Sequence, residues 1–296
     1  MIDLSIIILS YNTSEITRKC IESLLQNLTD ASLQTELIVI DNHSSDNSPY
    51  VIEEFRKTKW KNVVYRSMLL QNNLGYTRAN NKGIEGSHGR YTLFLNSDVL
   101  INTVDFNELV TFMDTSPKIG GLTVRVNLED GGIDPASHRG LPTPWRSFCY
   151  FSGLERLFGH FPYGNRLFGG YHLLYHNLRV AHEIDAPSGA FFMVRKNILD
   201  ILKGFDERFF MYGEDIDLAY RMRQLGYTIY YYPKFTVTHL KYQSGLGNKN
   251  QKLRKKIRIH FYESMKIFYQ KHYEARYPWL INQLVYLFIT LKQRIS

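Results

Sequence analysis

Apolar and polar positions alternate between two rhythms through the first third of the chain. Residues 4–9 (Leu-Ser-Ile-Ile-Ile-Leu) and 36–40 (Glu-Leu-Ile-Val-Ile) are short, nearly unbroken apolar runs, the pattern of strands covered on both faces. Between them Ile16, Cys20 and Leu24 recur at helical spacing behind Ser14, a residue suited to cap a helix. The alternation continues with a helix over 51–55, a strand near 63–65, a polar loop over 71–75, a helix from about Thr77 and a buried strand over 91–95. Such repeated strand–helix units predict a mostly parallel sheet with helices on both faces. Ligands of these sheets sit beyond the carboxyl ends of the strands, where the polar clusters at Asn12, Asp41 and Asp98 fall.

Residues 126–184 break the rhythm. They are irregular and rich in Gly, Pro, His and aromatics, which predicts long loops or a lid over a site, without a domain of their own. A strand over 188–194, a helix over 198–202, a helix opening at 213–218 and ending at Gly226, and two strands over 228–232 and 235–239 follow. From Lys252 to Arg276 eight Lys and Arg face only Glu263 and Glu274, so six of the chain's eight net positive charges lie there. Beyond Pro278 the residues Leu280, Ile281, Leu284, Val285, Leu287, Phe288 and Leu291 cover much of a last helix.

Composition narrows the class. The 296 residues, 44% hydrophobic and 22% charged, suit one large α/β domain with additions. The 21 Tyr supply apolar bulk with hydroxyls, fit for sugar faces. Two cysteines give neither a disulfide framework nor a metal-ligand spacing, which predicts a reducing, cytoplasmic setting. The opening residues have no basic leader region, and no apolar stretch approaches the ~20 residues of a membrane span. The net positive charge points to an anionic partner.

Three groups carry candidate chemistry. Asp98 ends a buried strand, where a carboxylate caps a turn or binds a hard cation. His239 ends another strand, either hydrogen-bonded in place or as an imidazole ligand. Glu214, Asp215 and Asp217 cluster at a helix start; the helix dipole favours acids there, but three in four residues exceed capping needs, and like charges this close push one pKa upward. A poised carboxylate is what activation of a hydroxyl requires. Tyr11 and Asp41 are either turn residues or a nucleotide cradle, by stacking and by accepting from a ring N–H.

The order of these segments is more specific than any one of them. Residues 5–12, Val39-Ile40-Asp41-Asn42 with Ser44-Ser45-Asp46, Asn73-Leu74-Gly75 with Ala79-Asn80-Asn81-Lys82-Gly83, and Leu95-Asn96-Ser97-Asp98 resemble the family 2 glycosyltransferases. So do Ser188-Gly189-Ala190-Phe191, Gly204-Phe205-Asp206-Glu207, Glu214-Asp215-Ile216-Asp217-Leu218 with Arg221, and His239. The resemblance spans about residues 3 to 245. It is nearest to bacterial rhamnosyltransferases of cell-surface polysaccharide assembly, on Asn96-x-Asp98 and on residues 131–143.

The resemblance implies a GT-A fold, a Rossmann-like, mostly parallel mixed sheet, over residues 1–245, with a C-terminal helical tail over 246–296. It implies inverting transfer of a sugar, with dTDP-rhamnose the expected donor and a UDP-hexose or UDP-N-acetylhexosamine the alternative, to a lipid-linked glycan. Carried over, Ser10, Tyr11, Asn12, Asp41, Asn73, Gly75, Arg78 and Asn96 would surround the donor. Asp98 and His239 would hold Mg²⁺ or Mn²⁺, Asp215 would be the general base, and Ser188, Gly189, Glu214 and Asp217 would face the acceptor. Asn96 stands where a fuller Asp-x-Asp has its first acid, so the metal has fewer carboxylates and binds loosely.

The basic tail suits an anionic membrane surface, at roughly 1 kcal/mol per basic residue near it, which predicts a peripheral enzyme at the inner face of the plasma membrane. Packing on the catalytic domain or on a second subunit is the alternative. A dinucleotide oxidoreductase would need glycines after the first strand, and Ser10-Tyr11-Asn12-Thr13-Ser14 has none. Nucleic-acid binding leaves the acids at 214–217 unexplained, since phosphates would be repelled there.

Overall fold

The computed structural model describes residues 1–29, 31–241 and 251–295. The first half alternates as the pattern predicts: β1 (Leu4–Ser10), α1 (Ser14–Leu28), β2 (Thr35–Asp41), α2 (Ser48–Arg56), β3 (Val63–Leu69), α3 (Gly75–Glu85) and β4 (Tyr91–Asn96). Then come β5 (Val99–Thr103), α4 (Phe106–Asp114), β6 (Ile119–Leu128), three short helices α5 (Pro144–Ser152), α6 (Leu154–Phe158) and α7 (Asn165–Phe168), and β7 (His182–Ile184). β8 (Phe191–Arg195), α8 (Lys196–Leu202), α9 (Glu214–Gln224), β9 (Thr228–His239), α10 (Gln251–His272) and α11 (Trp279–Ile295) complete the chain.

One sheet runs in the order β3-β2-β1-β4-β8-β6-β9-β5, with β7 on β9. The first four strands are mutually parallel, and β8, β5 and β7 run against their neighbours. The unbroken apolar runs serve two cores at once, because successive strand side chains point to opposite faces. Ile6 and Ile8 enter one layer and Ile7 the other; Leu37 and Val39 oppose Ile38 and Ile40 in the same way. This is the GT-A type of mixed Rossmann-like sheet that the resemblance implied.

Local differences have physical reasons. Ser14 starts α1 but does not cap it; its N–H donates to Asp46 in the next loop, 3.0 Å away, and the Thr13 N–H donates to Ser48. The two expected C-terminal strands are one, β9. Its pairing with β6 jumps from Tyr232 to Thr236, so the stretch containing Pro233, which has no N–H to give, bulges out of the ladder. The irregular region begins only after β6 and is folded into α5, α6 and α7 before β7.

The last helices pack on the catalytic layer. Phe268, Tyr269 and Tyr273 of α10 and its following turn belong to the same core cluster as Phe94, Phe192 and Leu218. The expected boundary at residue 245 and the side chains of Lys252, Arg254 and Lys256 lie outside the described residues. Among the described residues no helix is long and apolar enough to cross a membrane.

Candidate active site

The carboxyl ends of β1, β2 and β4 lie side by side in parallel register, where sheets of this kind form their ligand crevice, and the acids at the start of α9 act with Asp98 on Tyr76 beside it. Ser10 and Asp41 are register partners on β1 and β2. The Ser10 hydroxyl is buried against Thr17 at 2.8 Å and Thr13 at 3.3 Å, so this side chain holds the turn together. Asn12 stands in the left-handed region (φ 54°) and its side chain accepts from the Ser45 N–H at 2.7 Å, joining the β1 and β2 loops. Tyr11 beside it is 40% exposed. Asp41 accepts from the Ser44 N–H through Oδ2 at 2.9 Å, while its buried Oδ1 has no partner.

The loop before α3 is set by Asn42, which sequence reasoning did not single out. Its side chain accepts from the Leu74 N–H (2.8 Å) and donates to Asn73 (3.1 Å) and the Gly75 carbonyl (3.2 Å). Asn73 in turn accepts from the Gly75 N–H at 2.9 Å. Gly75 has φ 77°, and a Cβ there would lie 2.6 Å from Phe210, so only glycine fits. Asn42 and Gly75 thus shape the loop that leads into α3. Arg78 points to the surface, 3.3 Å from Glu207, with both side chains more than half exposed.

Tyr76, also missed, links the two halves of the site. Its hydroxyl donates to Asn96 at 3.3 Å and lies 3.4 Å from the Gly189 carbonyl. Burial, then the charges of Glu214, Asp215 and Asp98, hold that hydroxyl well above its ordinary pKa. Three expected site carboxylates therefore act on one phenol. The only local signal was an aromatic following Asn73-Leu74-Gly75.

Asp98 and His239 meet because β5 pairs antiparallel to β9, with Val99 opposite His239. His239 Nε2 lies 3.2 Å from Asp98 Oδ1, and its Nδ1 lies 3.2 Å from Asp134 Oδ2. Lys241 reaches the other Asp134 oxygen at 2.5 Å. Burial works against an imidazolium here, but hydrogen bonds to Asp134 and Asp98 raise His239 to about 9. Burial likewise opposes ionisation of Asp134, and the His239 and Lys241 contacts hold it well below the usual carboxylate range. A carboxylate behind a histidine ring is the support that metal-binding imidazoles use. Among the described residues no group of three or more His, Cys, Asp or Glu forms a metal cage. Two protein ligands nonetheless suffice for a cation that also takes phosphate oxygens, so the pair fits such an ion.

The first turn of α9 divides its acids. Gly213, at φ 78°, precedes the helix. Asp215 Oδ2 accepts from Arg139 at 2.8 Å and from the Gly189 N–H at 3.2 Å, and Oδ1 accepts from the Ile216 N–H at 2.7 Å. Arg139 also donates to the Pro187 carbonyl at 2.8 Å. It was missed because it lies in the irregular middle. Glu214 is buried with Oε2 unpartnered; burial first, then the charge of Asp215, pushes its pKa to about 8. Ser188 is buried beside this group with its hydroxyl unpartnered.

Asp217 does not join them. It is fully buried and bound by Arg221 (2.7 Å), Lys271 (2.6 Å) and His272 (2.7 Å). Its carboxylate ties α9 to α10 and is held away from Glu214 and Asp215, in place of the acceptor-facing position expected for it.

Comparison with known proteins identifies the family. Residues 5–199 match the family described as Glycosyl transferase family 2. The chain is 28% identical over 233 residues, 73% of its length and 71% of the relative's, to the N-acetylglucosaminyl-diphospho-decaprenol L-rhamnosyltransferase of Mycobacterium tuberculosis strain H37Rv. Its fold matches S. aureus TarS 1-349 in complex with UDP at a TM-score of 0.54 and 15% identity, over 89% of this chain and 65% of that one. It matches GalNAc-T7 with UDP, GalNAc and Mn²⁺ at a TM-score of 0.60 and 16% identity, over 81% of this chain and 44% of that one. The chain thus spans less than two thirds of either solved protein. With the family matched across most of the sheet that builds the crevice, the chain belongs to glycosyl transferase family 2 and is a glycosyltransferase.

Proposed function

We propose that the enzyme moves a sugar from a nucleoside diphosphate to a hydroxyl of a glycan acceptor, with inversion, in one in-line displacement. The observation that carries this reading is a set of buried polar atoms without partners on the segments that carry the family resemblance: Asp41 Oδ1 at the end of β2, Ser188 Oγ before β8 and Glu214 Oε2 at the start of α9. Leaving such a group unsatisfied costs roughly 1–3 kcal/mol, so each is a group that a ligand would complete. Asp41 Oδ1 suits the ring N–H of uracil or thymine, and Tyr11 at the mouth suits stacking on the base. Asp98 and His239 would hold Mg²⁺ or Mn²⁺, which offsets charge on the departing diphosphate. Asp215 would take the acceptor proton, oriented by Arg139 and the Gly189 N–H. Ser188, Gly189 and Glu214 would face the acceptor.

A UDP-hexose or UDP-N-acetylhexosamine is the better-supported donor, because the TarS and GalNAc-T7 structures that share the fold carry UDP. The relation to the mycobacterial rhamnosyltransferase, which covers most of the chain, favours dTDP-rhamnose as the second reading. That relative's lipid carrier, with the apolar outer face of α11 at Trp279 and Leu280, supports a lipid-linked acceptor reached by peripheral contact with a membrane. A thermal-shift screen of UDP-glucose, UDP-N-acetylglucosamine and dTDP-rhamnose, with and without Mn²⁺, tests the reading. Metal-enhanced stabilisation by a UDP-sugar is the expected result, and preference for dTDP-rhamnose selects the second donor. Silence toward every nucleotide sugar removes the proposal.

A further inference from the structure

A cavity opens against the carboxylates of α9. It encloses about 730 Å³ between α5, α10 and α11, and Arg139, Glu214 and Asp215 are part of its lining. Tyr11, Asp41, Asp98 and His239 are not. The cavity therefore reaches Glu214 and Asp215 without including the groups assigned to the nucleotide and the cation. Away from that polar end its walls are dominated by aromatic and aliphatic side chains, among them Trp145 and Phe148 of α5, Phe261 of α10 and Leu284 and Leu287 of α11. Phe151 of α5 stacks edge-on to Phe288 of α11 with ring centroids 5.6 Å apart, joining the two walls.

These walls are built of residues that a self-contained fold would cover. Phe148 is 49% exposed and Leu284 is 54% exposed, and both line the cleft. An extended peptide laid there would need a partner for each backbone N–H and carbonyl, and aromatic and aliphatic walls give few. A hydrocarbon chain needs none and gains from every methylene removed from water.

We infer that this cleft holds the hydrocarbon chain of a lipid-linked acceptor, whose sugar head lies against Glu214 and Asp215. The assignment rests on the transferase reading above and adds the place where the carrier binds. The acceptor enters along α11 with its chain between α5 and α11, and its hydroxyl arrives at Asp215 from the end opposite the nucleotide. The cleft thereby selects for an apolar aglycone and places the sugar at a fixed depth.

The test uses the full chain and dodecyl β-D-glucoside below its micelle concentration, with methyl β-D-glucoside as the chainless control, both followed by calorimetry. The expected result is at least a hundredfold tighter binding of the dodecyl compound. Leu284→Asp and Phe148→Asp, each at a half-exposed wall position, should each weaken it at least tenfold and leave UDP-sugar binding unchanged. Equal affinity for the two glucosides, or variants that bind the dodecyl compound as the wild type does, overturns the assignment. So does a wild-type dimer in sedimentation that Leu284→Asp dissociates, since a second copy would then occupy the face. Nucleotide-sugar binding is measured in parallel: its presence without chain binding removes only the cleft assignment. Chain binding without any nucleotide-sugar binding removes the acceptor role together with the transferase reading.

Discussion

Two acids at the start of α9 stand two residues apart and have opposite fates. Asp215 and Asp217 lie roughly 200° apart around the helix, so one faces the crevice and the other faces α10. Asp215 is met by one guanidinium and two backbone N–H groups, at the edge of a cavity. Asp217 is sealed among Arg221, Lys271 and His272. Lys271 also reaches Asp206 at 2.6 Å, which extends that network to the loop after α8. Charge alone does not separate a carboxylate open to a cavity from one sealed within the fold. What separates them is whether a cavity reaches the group and whether its partners come from the site or from a packing helix.

The largest expected effect comes from neutralising the crevice acid. Asp215→Asn should lower transfer by about 10²–10⁴-fold while calorimetric donor affinity and melting temperature stay near wild type. Substantial residual turnover would move the base to Glu214. Asp217→Asn should act in reverse, destabilising the fold by about 3–5 kcal/mol because Arg221 and Lys271 lose their buried counter-charge, with activity per folded molecule retained. Denaturant unfolding beside an active-site titration separates the two quantities, and a stable but inactive Asp217→Asn protein would break the comparison.

Smaller effects sharpen it. Asp98→Ala should weaken metal-dependent donor binding by about tenfold or more; identical affinity with and without Mn²⁺ in wild type and variant would remove the cation assignment. Glu214→Gln should give the smallest change, and a pH-dependent one. A carboxyl whose folded pKa is raised to about 8 favours folding when protonated, so the wild type loses stability as pH rises from the ordinary glutamate range through 8. Glu214→Gln should match wild type near pH 5 and melt higher near pH 9. Parallel melting curves across that range would mean that Glu214 is not desolvated in solution.

The sequence was most legible where one strand serves both cores. The runs at 4–9, 36–40 and 91–95 became β1, β2 and β4 because a strand buried on both faces has to be apolar throughout. It was least legible where a group depends on distant partners. β5 directly follows Asp98 and was hidden by it, and Pro233 made one bulged strand read as two. Asp98, His239, Glu214 and Asp215 could be named from strand and helix ends, but Arg139, Tyr76 and Asp134 could not. Each acquires its place from residues far away in the chain: Arg139 from Asp215, Tyr76 from Asn96 and Gly189, Asp134 from His239. No local periodicity encodes such meetings. Asp217 shows the converse, since its motif pointed to the crevice and its partners on α10 lay beyond the matched segment.

The pairing of β5 with β9 has a consequence for how the chain matures. Asp98 precedes the strand on one side of this ladder and His239 ends the strand on the other. Nearly half of the 296-residue chain is synthesised between the two, and closing so long a loop carries an entropic cost that only the finished ladder repays. A nascent polypeptide that has not yet emerged past residue 239 holds β1, β2 and β4 and the crevice at their ends, but only half of the aspartate–histidine pair. Assembly of that pair is therefore a late event, reserved for chains whose sheet has closed at its far edge.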